Sequence, residues 1–373
     1  MSEERRTAEL LVVGTFGGGG IHHYIEEQCR QLEGRLRISR HDMVMAPDGG
    51  GLRWFLASLV LALGAAARFP FRSRPDVVHV HTSHRFSFYR SSFYVLFAAY
   101  VWDRPVVLHV HGSSFDEFVE SSGLLVGLLQ SAVFGASDRI IVLSEYWCDV
   151  LGGYVDEGKL RVVPNAVEVD AFDPAASDVP TVVFISGLLE RKGVPELIDA
   201  VDRLNEAGDV EFRVRIAGKG ELSEAVSALA ERRENVEYLG YVSETEKRRL
   251  LEEGTVFALP THAEGLPIAM LEGMAAGDAI VSTAVGSIPE VISEDNGTVV
   301  EPGDTDALTD ALETLLTSPE TATEMGRRNR RLVAERYTWE TAAERLVDVY
   351  RELFPTPDGA ARPEADAATD GRA

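Results

Sequence analysis

Two glutamates, Glu264 and Glu272, flank an apolar segment within HAEGLPIAMLEG at positions 262–273. A carboxylate accepts strong hydrogen bonds from neighbouring hydroxyl groups, so each glutamate can hold a vicinal diol. Eight residues of helix would separate them by about 12 Å, which exceeds the roughly 5 Å between the paired carboxylates of a retaining glycosidase. The spacing therefore predicts that the two glutamates hold opposite ends of one long polyhydroxylated ligand.

The backbone between the two glutamates offers hydrogen-bond donors to the same ligand. The preceding run TVFALPT is typical of a strand, and Pro267 fits the first turn of a helix, where its missing N–H has no effect. The first N–H groups of a helix lack intrahelical partners, so those of Gly265, Leu266 and Ile268 can bind anionic or hydroxyl oxygens. We therefore expect Gly265, Leu266 and Pro267 to line the site. A solvated helix face is the alternative, which the apolar run AMLEGMAAG disfavours.

Two adjacent cations, Arg191 and Lys192, follow the strand-like run TVVFISG within SGLLERKGVPEL. Cations at a strand-to-helix loop suit a diphosphate, which carries about two negative charges. The chain has only four lysines, Lys159, Lys192, Lys219 and Lys247, which favours a function for Lys192 over a surface turn. A sugar at one glutamate, a ribose at the other and a diphosphate near Lys192 together describe a nucleotide-sugar.

A glycine run that includes Gly18, Gly19 and Gly20 follows the first strand-like run and opens a helical pattern in GTFGGGGIHHYIEEQ. Glycines allow a ligand to approach the backbone closely, and the helix start offers free N–H groups to a phosphate. A nicotinamide-dinucleotide site is the competing interpretation. The G-x-G-x-x-G spacing is not met cleanly, and neither Asp42 nor Asp48 is well placed as the acidic residue after the second strand.

Eight of the nine histidines precede Gly112. His79 and His81 share one face of a predicted strand, and so do His109 and His111. Two His-x-His pairs are compatible with a metal hydrolase, but no Asp or Glu ligands accompany them at strand ends, so we expect no bound metal. A structural role is the default for each histidine. His111 is the exception because it ends a strand and precedes a glycine.

Short apolar runs alternate with helical patterns in both halves of the chain. Continuous Val, Ile and Leu runs separated by helices are typical of buried parallel strands with helical crossovers. The predicted fold class is α/β, with two Rossmann-like, doubly wound domains in tandem and a cleft between them. Ligands bind such sheets at the carboxyl ends of the strands, where the candidate residues lie. The predicted strands are ELLVVGTF, ISRHDMVMA, DVVHVHT, PVVLHVHG, RIIVLSE, LRVVPNA, TVVFISG, FRVRIAG, VEYLGYV, TVFALPT, AIVSTAV and GTVVEPG.

Composition predicts where the domains divide. A chain of 373 residues is long for one core. A joint rich in Asp, Ala and Pro, VEVDAFDPAASDVP, separates an N-terminal domain of residues 1–172 from a C-terminal domain of residues 178–337. An amphipathic helix follows at 338–354. The tail at 355–373 has no apolar periodicity, and we expect it to be disordered.

The net charge of -24 arises from 60 acidic against 36 basic residues. This balance argues against nucleic-acid binding, which needs clustered lysine and arginine. Because concentrated salt screens repulsion among carboxylates, we interpret the charge as an adaptation to high salt, as in a halophilic archaeon; an ordinary acidic protein is the alternative. Cys29 and Cys148 indicate a reduced, cytoplasmic compartment. The charged lead into the first strand predicts no signal peptide.

The longest uncharged run, WFLASLVLALGAAA, contains 14 residues. A spanning helix needs about 20, so we expect either a buried core helix or an interfacial helix on the cytosolic leaflet. Arginines flank the run, and SSFYVLFAAYVW and GLLVGLLQSAVF add apolar surface in the same half. These features favour peripheral membrane contact through the N-terminal domain and a lipid-linked or glycan acceptor.

Over residues 8–354 the chain resembles the retaining nucleotide-sugar glycosyltransferases of the GT-B fold, family four, also called glycosyl transferases group 1. The most specific marker is EGLPIAMLEGMAAG, followed by AVGSIPEVI and NGTVVEPGD; supporting runs are SGLLERKGV, IAGKGEL, VEYLGYV, SDRIIVLSE and VVPNAVEVD. The resemblance implies an enzyme that moves a sugar from a UDP- or GDP-sugar to an acceptor in surface glycan, glycolipid or glycoprotein assembly. It also implies that no metal or other cofactor is required, and that the final helix crosses back to the first domain.

The resemblance assigns roles to individual residues. His111, Glu264 and Lys192 would form the catalytic centre, with His111 and Glu264 at the transferred sugar and Lys192 at the phosphate. Glu272 would bind the nucleotide ribose. The donor-binding residues implied are Gly18, Gly19, Gly20, Arg191, Lys192, Gly265, Leu266, Pro267 and Glu272.

Two positions depart from the family pattern. Gly187 stands where many members have an arginine, five residues before the lysine, and Ala166 stands where many have glycine. The first departure leaves two alternatives. Either Arg191 supplies the missing charge, or the chain is a non-catalytic sugar-nucleotide-binding subunit of a glycosylation complex.

Overall fold

The computed structural model describes residues 8–16, 20–44, 51–175, 179–208 and 210–354. The predictions for Gly18, Gly19, Asp48 and the tail after residue 354 lie outside these ranges.

The predicted strands are all present. They are β1 Glu9–Gly14, β2 Arg37–Asp42, β3 Val77–Thr82, β4 Val106–Val110, β5 Arg139–Val142, β6 Leu160–Val162, β7 Thr181–Ile185, β8 Arg213–Ala217, β9 Val236–Gly240, β10 Val256–Leu259, β11 Ala279–Thr283 and β12 Gly297–Val300. The helices are α1 Gly20–Leu32, α2 Gly51–Arg68, α3 Phe86–Tyr100, α4 Phe115–Glu120, α5 Leu124–Ala136, α6 Glu145–Gly152, α7 Val194–Ala207, α8 Ser223–Arg232, α9 Glu244–Glu252, α10 Ile268–Ala276, α11 Ile288–Val291, α12 Thr305–Thr317, α13 Pro319–Arg336 and α14 Trp339–Arg351.

The first six strands form one sheet in the order β2-β1-β3-β4-β5-β6, and its neighbouring strands are parallel. Every residue of β3 and β4 is buried. Strands covered on both faces are rich in apolar side chains, and here valine and leucine alternate with buried histidines at positions 79, 81 and 109. The strand order reverses between β1 and β3, so the loops after these strands border a crevice at this edge.

The last six strands form a second parallel sheet in the order β12-β11-β10-β7-β8-β9. This is the doubly wound order in which the first strand of the unit lies beside the fourth. The order reverses between β7 and β10. The prediction of two tandem Rossmann-like α/β units is therefore confirmed.

The final helix, α14, follows the second sheet in the chain but packs against the first. Leu346 and Tyr350 share one buried cluster with Leu10 of β1 and Ile25 of α1. Just before the helix, the carbonyl of Tyr337 accepts a hydrogen bond of 2.9 Å from a backbone N–H in the segment after β6. The helix thus connects the two halves of the molecule.

The apolar helix α2 lies largely on the surface, so the expectation of a buried core helix is wrong. Only Ser58 and Ala65 of α2 are buried, and Leu52 and Val60 are 73% and 67% exposed. Its contacts are chiefly with α3 and the turn at 69–71. Within the described ranges, Gly51–Phe71 is the one helix long and apolar enough to cross a membrane. Only 17% of its apolar 18-residue stretch is buried inside the protein.

Candidate functional site

The loops that follow β7 and β10 meet where the strand order of the second sheet reverses. Because β7 and β10 are parallel neighbours, their carboxyl ends emerge side by side. Lys192 lies after β7 and Glu264 after β10, and the Lys192 ammonium forms an ion pair with the Glu264 carboxylate. The two side chains are 16% and 10% exposed. The topology thus brings together two predicted site residues that lie far apart in the sequence.

Gly193 permits the close approach of these two loops. Its φ of +71° lies in the left-handed region, and a Cβ at this position would lie 1.7 Å from the carbonyl oxygen of Pro260. The backbone N–H of His262 donates to the carbonyl of Arg191 across 2.8 Å. Only glycine satisfies both the conformation and the contact, so Gly193 holds Lys192 in place against Glu264.

The loop after β10 also packs against the first half of the chain. The side-chain amide of Asn165 donates to the carbonyl of Leu266 across 2.6 Å, and the Trp147 indole N–H lies 3.5 Å from the carbonyl of Gly265. A Cβ at Gly265 would lie 3.4 Å from the carbonyl oxygen of His111. The contact therefore places the strand end at His111 beside the loop that carries Glu264.

Pro267 precedes α10, which begins at Ile268. The expectation that Pro267 occupies the first turn is wrong by this one position. Glu264 lies in a loop and only residues 268–272 of the interval are helical, so eight helical residues do not separate the two glutamates. The interval is longer than its helical part because residues 265–267 form a loop that packs against the first half before α10 starts.

Glu272 lies in α10 and is paired with a lysine that sequence reasoning did not single out. The Lys247 ammonium lies 2.7 Å from Glu272 Oε1 and 2.7 Å from Glu244 Oε2. Burial raises the pKa of Glu272, and Lys247 opposes that rise. Although burial acts to lower it, the pKa of Lys247 is raised by the carboxylates of Glu272 and Glu244. Both glutamates of the sequence motif therefore sit in ion pairs with lysine.

Arg191 lies at the junction of the two halves. Its Nη1 donates to the carbonyl oxygen of Ala263 across 2.7 Å and lies 3.4 Å from Ser113 Oγ. The guanidinium is thus beside the residue that precedes Glu264. At Gly187, a Cβ would make only ordinary contacts of 3.7 Å or more, so that position has room for a side chain.

His111 follows β4 and belongs to a stacked group of imidazoles. Its Nε2 lies 2.9 Å from Nδ1 of His81, its ring stacks on His109 with centroids 3.9 Å apart, and Tyr24 meets it edge-on at 4.9 Å. Burial lowers the pKa of His111 to about 3. The ring is therefore neutral at neutral pH, and it can exchange a hydrogen bond with a ligand without carrying a charge.

Three other histidines of this group, His79, His81 and His109, are buried together. They are the residues on which the alternative of a metal site depends. The ligand nitrogens of His79, His81 and His109 lie within 4.8 Å of one another. Several ring nitrogens of the three have no hydrogen-bond partner among the described residues. The ring planes, however, lie within 14°, 23° and 32° of one another. The in-plane lone pairs of nearly parallel rings do not converge as a tetrahedral metal site requires, so the donor set suits a metal and the ring geometry does not.

The dinucleotide alternative depends on an acidic residue after the second strand. Asp42 ends β2, and its Oδ1 accepts backbone hydrogen bonds from Phe16 across 3.1 Å and Val44 across 2.9 Å. The carboxylate oxygen therefore joins the loop after β1 to the loop after β2, which disfavours that alternative. Gly20 is the first residue of α1.

Two cavities lie along the junction, one at each motif glutamate. The first, of about 110 Å³, is lined by Glu272 and Lys247 and by His23 of α1. The second, of about 300 Å³, is lined by Glu264 and by Ser113 of the first half. Each of the two motif glutamates thus lines a cavity of its own at the junction.

Glu290, in the short helix α11, was not anticipated from the sequence. Its carboxylate accepts from the Ser144 hydroxyl across 3.1 Å, from the backbone N–H of Glu145 across 3.3 Å, and from that of Tyr146. It therefore caps α6 from the other half of the molecule. The sequence places a glutamate after Pro289 at a helix start, but its partner lies almost half the chain away. Sequence reasoning also missed Lys247, and the scarcity of lysine in this chain was the signal that could have found it.

Two family models match the chain. The model described as Glycosyltransferase Family 4 matches residues 7–171, and the model described as Glycosyl transferases group 1 matches residues 168–332. The chain therefore carries both domains of these glycosyltransferases. Together with the two Rossmann-like sheets and the site between them, they define a glycosyltransferase of the GT-B fold, as the sequence predicted.

Individual relatives agree with this class. The alpha-maltose-1-phosphate synthase of Mycolicibacterium smegmatis is 28% identical over 91% of this chain and 96% of its own length. A GDP-mannose-dependent monoacylated alpha-(1-6)-phosphatidylinositol monomannoside mannosyltransferase of Corynebacterium glutamicum is 29% identical over 50% of this chain and 55% of its own. The crystal structure of Anabaena HepE in complex with UDP-glucose has a TM-score of 0.70 at 15% identity, covering 92% of this chain and all of that one. At this identity the structural likeness shows the fold.

Proposed function

We propose that this glycosyltransferase moves a sugar from a UDP- or GDP-sugar, with retention of anomeric configuration, to a lipid-linked or glycan acceptor in surface glycan, glycolipid or glycoprotein assembly. The observation that carries the proposal is the pair of motif glutamates, each in an ion pair with lysine and each facing its own cavity at the junction of the two halves. The nucleotide-sugars named for the Anabaena and Corynebacterium proteins support the donor class.

In this proposal the donor lies along the second half of the cleft. Glu264 binds hydroxyls of the transferred sugar, Glu272 binds the ribose, and Lys192 with Arg191 neutralises the diphosphate between them. The amides of Gly265 and Leu266, the residue Pro267, and the glycine run with Gly18, Gly19 and Gly20 complete the donor site. Residues 1–172 hold the acceptor, residues 178–337 hold the donor, and residues 338–354 connect the two.

The proposed transfer needs no covalent intermediate. The bond between the anomeric carbon and the β-phosphate oxygen breaks, and the acceptor oxygen forms its bond to that carbon on the same face of the sugar. The acceptor proton passes to the departing phosphate oxygen. Lys192 stabilises the charge that develops on the diphosphate, while Glu264 and His111 fix the sugar through hydrogen bonds. These cations and the start of α10 supply the stabilising positive charge without a bound metal.

Substitution at Glu264 tests the site. We expect Glu264→Gln to bind UDP or GDP within about threefold of the unchanged protein but to transfer sugar about 100-fold more slowly, because a strong, charge-assisted contact to the sugar is lost. A panel of UDP- and GDP-sugars in concentrated KCl identifies the donor first. Glu320→Gln, an exposed carboxylate on α13, serves as the matched control. Full transfer by Glu264→Gln would contradict the proposed role.

The stereochemical outcome requires a separate measurement. The anomeric configuration of the first product, read by proton NMR before any equilibration, should match that of the donor. An inverted product would contradict the proposed same-face attack but would leave the donor site unaffected.

The surface of the first half supports a membrane-proximal acceptor. Leu124 and Leu125 of α5 are 80% and 81% exposed, and Phe71 after α2 is 90% exposed. Arg53 and Arg68 lie in α2, and Arg72 and Arg74 follow it in the chain. An apolar surface of this kind rimmed by cations suits the headgroup region of an anionic leaflet. We therefore propose cytoplasmic residence with peripheral membrane contact.

Flotation with vesicles tests this contact. The protein should float with phosphatidylglycerol vesicles in the salt that keeps it folded, and Phe71→Glu together with Leu125→Glu should abolish flotation. Tyr241→Glu is the matched control because Tyr241 is also a strongly exposed aromatic residue, at 76%, but lies on the other half. Retention of flotation by the double variant would rule out this surface.

We also propose that the acidic composition is an adaptation to high salt. Screening removes repulsion among the 60 acidic residues, so the free energy of unfolding should rise between about 0.1 M and about 2 M KCl. A protein that is equally stable at both salt concentrations would contradict this interpretation.

A further inference from the structure

The nucleoside end of the proposed donor site contains Lys247, a lysine that lies outside the sequence motif around Glu264 and Glu272. Lys247 of α9 contacts Glu272 Oε1, and no hydrogen bond engages Oε2 in the part of the chain that the structure describes. The two side chains are 17% and 14% exposed, and both line the cavity of about 110 Å³. The pair is therefore preformed at the edge of an open space, with carboxylate and ammonium side by side.

The chemistry of this pair differs from that of a lone carboxylate. An ammonium has three N–H donors, and the described residues use two of those of Lys247, for Glu244 and Glu272. One donor thus remains for a ligand oxygen, next to a carboxylate oxygen that accepts. A vicinal diol offers both functions, because one hydroxyl can donate to the carboxylate while the other accepts from the ammonium.

We propose that Lys247 is a further donor-binding residue, which together with Glu272 forms a mixed ammonium–carboxylate clamp on the ribose diol of the nucleotide. This inference rests on the proposed donor and adds a discriminating contact to it. Lys247 also supplies a counter-charge to the buried carboxylate of Glu272. The clamp makes the site selective for ribose over deoxyribose, since a 2′-deoxy sugar leaves one of the two groups without a partner.

Calorimetric titration of the full chain in concentrated KCl tests the clamp. UDP and GDP are titrated first, and the tighter of the two is compared with dUDP or dGDP. We expect Lys247→Met to weaken binding of the ribonucleotide about 10-fold and to remove most of the preference for ribose over deoxyribose. Lys247→Arg should restore both in large part because it keeps the charge and the donors. With the corresponding sugar donor, KM should rise while kcat stays within about twofold.

Lys159→Met is the matched control, since Lys159 contacts carbonyls at the end of α5 in the first half. The ratio of ribose to deoxyribose affinity is measured within each variant, so partial misfolding of Lys247→Met does not alter it. Unchanged or tighter ribonucleotide binding by Lys247→Met would overturn the clamp, because it would show that the lysine competes with the ligand for Glu272. If the unchanged protein bound neither UDP nor GDP, the proposed donor class would fail as well.

Discussion

Acid should destabilise this protein through its buried imidazoles, and His79 offers the clearest test. The His79 side chain is fully buried in β3, where its Nδ1 lies 2.6 Å from the Tyr350 hydroxyl and 3.2 Å from Gln28 Nε2. Burial, with a smaller contribution from His111, lowers the pKa of His79 to about 3. In the unfolded chain the same group titrates near 6.5.

The sign follows from which state binds the proton. Below about pH 6.5 the unfolded chain takes up a proton that the folded chain refuses, so stability falls as the pH drops toward 3. Between about pH 7.5 and about pH 5 the loss from His79 alone is about 2 kcal/mol. His81 and His109 are equally buried and their pKa values are also lowered by burial. Burial of these two rings therefore acts on stability in the same direction as burial of His79.

The experiment compares the unchanged protein with His79→Gln, which keeps hydrogen-bonding groups but cannot take up the proton. Urea unfolding is followed by the fluorescence of the buried tryptophans Trp102, Trp147 and Trp339. The difference in unfolding free energy between the two proteins should shift by about 2 kcal/mol in favour of the variant between about pH 7.5 and about pH 5. Protonation of the surface carboxylates is common to both proteins and cancels in the difference.

His23→Gln is the matched control because His23 is an exposed residue. Its unfolding free energy should track that of the unchanged protein across the same pH range. Parallel pH dependence of His79→Gln and the unchanged protein would refute the reasoning, since it would mean that the folded state accommodates the proton at His79.

Three further outcomes are expected. Gly193→Ala should abolish transfer and destabilise the fold by more than the roughly 1–2 kcal/mol of left-handed backbone strain, because the new Cβ would meet Pro260. Gly208 has the same φ of +71° but no neighbour within 4 Å, so Gly208→Ala is the control. Equal losses of stability for the two variants in urea unfolding would contradict this reasoning. Burial raises the pKa of Asp278, whose carboxylate has no hydrogen-bond partner among the described residues. Relative to Asp278→Asn, the unchanged protein should therefore lose stability as the pH rises above about 4, where the unfolded chain releases the proton. A difference in stability that does not change with pH would exclude ionisation of Asp278 as the cause. The near-parallel rings of His79, His81 and His109 predict that protein dialysed against zinc retains no stoichiometric metal in elemental analysis, and one zinc per chain would show that the rings reorient.

Much of the fold was predictable because its signals are local. Most of the buried parallel strands are short runs rich in Val, Ile and Leu, and each predicted run contains or overlaps the strand that the structure shows. The exposure of α2 was not predictable in the same way. A helix that is apolar around its whole circumference has the same sequence pattern whether protein or lipid surrounds it. Only the positions of α3 and the turn at 69–71 show that the protein covers little of α2.

For the candidate site, the sequence marked residues but not partners. It singled out Glu264, Glu272 and Lys192 by type and spacing, yet it placed Lys192 at a diphosphate without indicating the ion pair with Glu264. Lys247 and Glu290 were missed, because each acts on a group supplied by another element.

The sequence by itself determined the class of this protein: twelve strand-like runs separated by helical patterns indicate two parallel sheets, and the motif around Glu264 and Glu272 indicates a glycosyltransferase. Tertiary structure alone decided that both glutamates are paired with lysine and that His111 lies beside Gly265. The physical reason is that hydrophobic periodicity and helix signals act within about ten residues, whereas an ion pair depends on which strand ends become neighbours. That neighbourhood is set when the order of the second sheet reverses between β7 and β10 and its loops meet those of the first.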